Sequence, residues 1–173
     1  MIKRCLVAAM AVLVGVVAAV PVMAADTFAA RLRGYEETPV PVSTAGQGFM
    51  LATLNGPETQ LDYTLVYFNL GSNVSQAHIH FGPPGISGGI VLFFCSNLAP
   101  PANVPVPPPC PNNPGINTVN GTLTSANVIA VPGQGIGAGA FADVIDAMRA
   151  LMTYANVHTA TFPSGEIRGI ITH

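Results

Sequence analysis

Eighteen glycines and sixteen prolines are spread through this 173-residue chain, and they limit its folding more than any other feature. Proline breaks helices and central strands, and glycine favours turns. The apolar residues therefore fall into short runs separated by turn signals. Charged residues make up only 8%, too few for the solvated faces of a helical bundle. Short strands joined by turns are the arrangement that remains.

The one long apolar run lies at the start. Lys3 and Arg4 precede an uncharged stretch from Cys5 to Val20, Pro21 breaks it, and Val22-Met23-Ala24 places small residues before Ala25. This reads as a cleavable secretory signal over residues 1–24, with a single working domain over 25–173. The run is about 16 residues, short of the roughly 20 that a membrane helix needs. No later stretch is long and apolar enough, so no membrane span is expected in the mature chain. The expected location is outside the cytoplasm, periplasmic or extracellular.

Cleavage would also change the chemistry available. It removes the only lysine, leaving Arg31, Arg33, Arg149 and Arg168 against eight acids. Schiff-base chemistry and a P-loop lysine are excluded. A nucleic-acid partner is not expected, because phosphates need a basic surface, and neither is an anionic membrane face. An unidentified protein or small ligand is the partner class left. Cys95 and Cys110 become an even pair, read in an oxidising compartment as a disulfide closing a Pro-rich loop. No CxxC motif accompanies them to favour metal thiolates.

Strand character runs over Thr27–Leu32, Gln47–Leu54, Leu61–Phe68, Val74–Phe81, Gly89–Phe94, Val119–Leu123, Tyr154–Phe162 and Glu166–Thr172. Leu61–Phe68 is the clearest, with Leu61, Tyr63, Leu65 and Tyr67 alternating onto one face. One helix is expected where Phe141, Val144, Ile145, Met148, Leu151 and Met152 recur at helical spacing. Gly133–Gly139 reads as its flexible entry. The fold class is all-β: an antiparallel Greek-key sandwich or barrel of about eight strands with one short late helix.

Histidine is rare, so its placement is informative. His78 and His80 are two apart on a strand and leave the same face. If the strand carrying His158 lies beside them, three imidazoles converge in a set that suits copper or zinc. The alternative is that these are half-buried polar residues bonded to backbone or to Glu166. Glu166 and Arg168 are also two apart. Each needs a partner if buried, as a structural pair or with Glu166 orienting a metal-bound imidazole. Asn156 and Tyr154 share the face of His158 on a regular strand and extend this polar cluster.

Catalytic constellations are not evident. There is no G-x-S-x-G elbow. Glu36 and Glu37 are adjacent, so they point apart on an extended chain and do not form a glycosidase pair. No phosphate-binding fingerprint surrounds the glycines of 133–139. The sparse charge also admits a self-assembling envelope component as a class.

Three segments together resemble the CHRD domain, named for chordin. They are Phe28 through Leu32-Arg33-Gly34 and Glu36-Glu37-Thr38-Pro39-Val40 to Ser43-Thr44-Ala45-Gly46; Ala77-His78-Ile79-His80-Phe81-Gly82-Pro83-Pro84-Gly85; and Tyr154-Ala155-Asn156-Val157-His158-Thr159 with Pro163-Ser164-Gly165-Glu166-Ile167-Arg168-Gly169. Ile170 departs from the pattern, where glutamine is common. The resemblance implies an all-β extracellular domain with no established enzymatic activity, hence no catalytic residues to carry over. In animal chordin such domains lie between cysteine-rich modules of a secreted growth-factor antagonist; this chain has no such modules, so that role does not transfer. The arrangement looks like that of single-domain bacterial exported proteins. The expectation is a non-enzymatic binding or structural module, with a copper- or zinc-binding metalloprotein as the alternative.

Overall fold

The computed structural model describes residues 25–99 and 101–173; the expected signal over residues 1–24 lies outside them. Eight strands form one antiparallel sheet: β1 (Thr27–Arg33), β2 (Gln47–Leu54), β3 (Gln60–Phe68), β4 (Val74–Phe81), β5 (Gly89–Ser96), β6 (Asn117–Thr124), β7 (Thr153–Thr159) and β8 (Ile167–Ile170). Their spatial order is β5-β4-β7-β8-β1-β2-β3-β6. The sheet curls so that its end strands, β5 and β6, approach each other, giving a nearly closed barrel rather than two packed sheets. Across that approach β4, β5 and β6 are consecutive neighbours and β7 returns beside β4, a Greek-key path.

Alternation fills the interior. Phe28, Ala30 and Leu32 of β1, Met50, Ala52 and Leu54 of β2, and Leu61, Tyr63, Leu65 and Tyr67 of β3 all point inward. Ala77 and Ile79 of β4 and Ala155 and Val157 of β7 join the same core. The even residues of β4 and β7 therefore face outward, yet most of them are also buried. Connecting segments must cover that outer face.

The helix α1 (Phe141–Arg149) turns Phe141, Val144, Ile145 and Met148 onto the core. Arg149 fixes its end, at 2.6 Å from both Asp26 and Glu58. Leu151 and Met152, expected on the apolar face, lie beyond the helix and are exposed. Leu151 takes a φ of 61°, and the amides of Leu151 and Met152 bond back to Met148 and Ala147. This is a Schellman stop with leucine where glycine is usual. The expected flexible entry is a short hairpin, with Val131 and Ile136 exchanging backbone bonds.

Cys95 and Cys110 are joined, closing a loop of sequence separation 15. Within it, the Asn97 side chain bonds the Cys110 amide and carbonyl and the Val74 carbonyl. Thiol labelling of the unfolded, unreduced protein is expected to find no free cysteine between these two positions. Two labels there would refute the pairing.

Candidate metal centre

His78 and His80 leave the outer face of β4, and β4 pairs with β7, so the third histidine arrives alongside. Register places Gln76 opposite His158, His78 opposite Asn156 and His80 opposite Tyr154. The pairing of β4 with β5 is bulged between Ala77 and His78 and again between Ile79 and His80. Such bulges twist a strand locally and re-aim its side chains. Ring centroids of His78 are 5.4 Å from His80 and 4.7 Å from His158, and His80 and His158 are 6.0 Å apart. One ligand nitrogen from each lies within 4.8 Å of the others.

Each imidazole has one nitrogen held and one free. His80 Nδ1 meets the Gly88 carbonyl at 2.9 Å, and His158 Nδ1 meets the Pro163 carbonyl at 3.0 Å. Carbonyls only accept, so both Nδ1 atoms carry the proton and both Nε2 lone pairs are bare. His78 is reversed: its Nε2 lies 3.3 Å from Gln76 Oε1, leaving Nδ1 bare. These three bare nitrogens, His78 Nδ1, His80 Nε2 and His158 Nε2, are buried and have no hydrogen-bond partner among the described residues. An unsatisfied buried polar group costs about 1–3 kcal/mol, and here three occur on rings that cluster together.

The surroundings keep the rings uncharged. Burial pushes His78 down to about 2 and His80 down to about 4, and it lowers His158 too. The neighbouring imidazoles act in the same direction on His78. Phe93 packs edge-on against His78 at 4.4 Å. Tyr154 lies parallel to His80, with centroids 4.7 Å apart. The Tyr154 hydroxyl accepts the Gly88 amide at 3.1 Å, so ring and turn brace each other.

Glu166 and Arg168 are both buried but do not pair. Glu166 precedes β8 and accepts from the Thr44 hydroxyl, the Gly71 amide and the Thr159 hydroxyl. No hydrogen bond links it to an imidazole; the carbonyls of Gly88 and Pro163 take the orienting role. Arg168 donates to the Thr38 hydroxyl and to the Ile86 carbonyl at 2.7 Å, and its Cζ lies 3.4 Å from the centre of the Tyr154 ring. Asn156 reaches Glu37 Oε2 at 3.5 Å. The segment 34–46 thus crosses the outer face as a strap, and Thr38 and Ser87 tie it to the turn after β4.

Glu37 is not among the site residues expected from the sequence, where it is read only as pointing away from Glu36 on an extended segment. Nor are the anchoring turns, whose only signals are the glycines and prolines after His80 and His158. A family model described as CHRD domain matches residues 28–171. No curated protein and no solved structure matches.

Proposed function

The chain belongs to the CHRD domain family, and from that premise we propose that it is a non-enzymatic exported module that binds copper or zinc through His78, His80 and His158. The observation that carries this reading is the clustering of three imidazoles, with ligand nitrogens within 4.8 Å of one another, each ring having a buried nitrogen without a partner among the described residues. A polar core cluster kept only for packing would pair those atoms; here each ring instead spends its proton on an outer acceptor and turns its lone pair inward. Such bonds from the outer ring nitrogen fix the tautomer and orientation of histidine ligands. Imidazole donors suit zinc and copper. His78 would bind through Nδ1 and the other two through Nε2. A bound ion would supply Lewis-acid character, and the residues themselves hold it, orient it and exclude bulk water.

Export is supported by the Cys95–Cys110 disulfide, which persists in oxidising compartments. Glu166, Arg168 and Asn156 serve as structural anchors that hold the covering segments over the histidines. Elemental analysis of the purified protein tests the metal reading. About one copper or zinc per chain is expected in the parent, with near-zero content in a folded His80→Ala variant. Equal, near-zero metal in both proteins would sink the reading.

A further inference from the structure

We infer that this centre prefers a singly charged ion, cuprous copper, over zinc, and that Arg168 sets the preference. The inference rests on the metal-binding reading above. Imidazole accepts both metals, so ligand type does not decide between them; charge does.

The three donors are neutral, and among the described residues no carboxylate or thiolate joins the cluster. Glu166, the nearest acid in sequence, has its oxygens engaged by Thr44, Gly71 and Thr159. The guanidinium of Arg168 is buried, with 2% exposure, and no salt bridge is formed by it among the described residues. It lies against the Tyr154 ring, which in turn stacks on His80. Two acids act on Arg168 through their charge, Glu37 and Glu36. The carboxyl of Glu37 is buried and pushed up to about 7, so it is only partly ionised at neutral pH. Glu36 is exposed to solvent, which screens its charge.

A dication at such a site meets two penalties. Its repulsion from the guanidinium is twice that of a monocation. Its desolvation cost rises with the square of the charge and is not repaid by an anionic ligand. Both terms favour Cu(I) over Zn(II) and over Cu(II), so they also raise the copper reduction potential.

The test is competitive titration of the full-length protein with Cu(I) under reducing, anaerobic conditions and with Zn(II), together with the potential of the copper-loaded form. Arg168→Met and Arg168→Lys are compared with the parent. The parent is expected to favour Cu(I). Arg168→Met should shift the Cu(I):Zn(II) affinity ratio toward zinc by about tenfold and lower the potential by about 59 mV, the one-electron equivalent of tenfold. Arg168→Lys keeps the charge and should stay near the parent in both readouts, which a merely structural arginine would not require. A parent that takes zinc as tightly as Cu(I) overturns the inference and leaves the metal reading intact. So does an Arg168→Met protein with the parent's ratio and potential. Binding of neither ion by the parent overturns both. Should Arg168→Met fail to fold, the parent's ratio and the lysine variant still decide.

Discussion

Replacing Glu166 with alanine is expected to destabilise the fold by about 4 kcal/mol, a large share of the 5–15 kcal/mol typical of a domain. The carboxylate is fully buried and collects three donors from distant segments. Thr44 lies in the strap between β1 and β2, Gly71 between β3 and β4, and Thr159 at the end of β7; the three bonds measure 2.7, 2.8 and 2.7 Å. Hydrogen bonds to a charged group contribute about 1.5–3 kcal/mol each, and removing the acceptor leaves three donors to be desolvated for nothing. The surroundings are fitted to the group: a Cβ at Gly46 would stand 3.0 Å from Glu166 Oε1. Thr44→Val removes the bond to Glu166 and the one that the Thr44 hydroxyl accepts from the Gly46 amide, and should still cost only about 2 kcal/mol. Urea unfolding of the three proteins gives the comparison. A Glu166→Ala protein within 1 kcal/mol of the parent, by the same accounting, would show that the carboxylate is not the junction.

Much of the barrel could be read from period-two alternation, because the interior of a small barrel imposes it directly. Gln47–Leu54 and Val74–Phe81 have the expected bounds, and Leu61, Tyr63, Leu65 and Tyr67 do fill the core. The meeting of His78 and His80 with His158 is a different kind of fact. It depends on β4 lying beside β7, two strands far apart in sequence, and no local pattern encodes that neighbour. Nor does alternation foresee that outward-facing histidines are buried. Their cover comes from the strap 34–46 and from the turns after His80 and His158, irregular segments whose side chains carry no period. β7 was expected to run to Phe162 but ends at Thr159, because the Phe162 carbonyl turns back to accept the amides of Thr159 and Gly165. Leu151 shows the same limit at the helix end, where a positive φ on leucine stops the helix without the glycine that would announce it.

Glu37 is where this cover becomes sensitive to pH, and a Glu37→Gln variant is expected to gain stability over the parent as pH rises. Burial pushes the carboxyl from 4.5 up to about 7, outweighing the Arg168 charge and the Asn156 amide, which pull it down; Glu166 pushes weakly the same way as burial. The group is shut in by Gly165, where a Cβ would stand 2.6 Å from Oε2, and Oε1 has no partner among the described residues. In the unfolded chain the carboxyl loses its proton near 4.5, whereas the folded chain holds it to about 7. The stability this proton confers is therefore complete below pH 4.5 and is lost as pH rises through 7, a change of about 3 kcal/mol. Glutamine keeps the shape and cannot ionise, so it does not suffer that loss. The three histidines act in the opposite sense, weakening the fold as pH falls below their ordinary range, but they do so in both proteins and cancel in the difference. Unfolding free energies measured from pH 4 to 8 should thus nearly coincide at the acid end and diverge by about 3 kcal/mol at the alkaline end, with the variant the more stable. Parallel curves across that range would mean that Glu37 ionises freely and that the strap does not seal it.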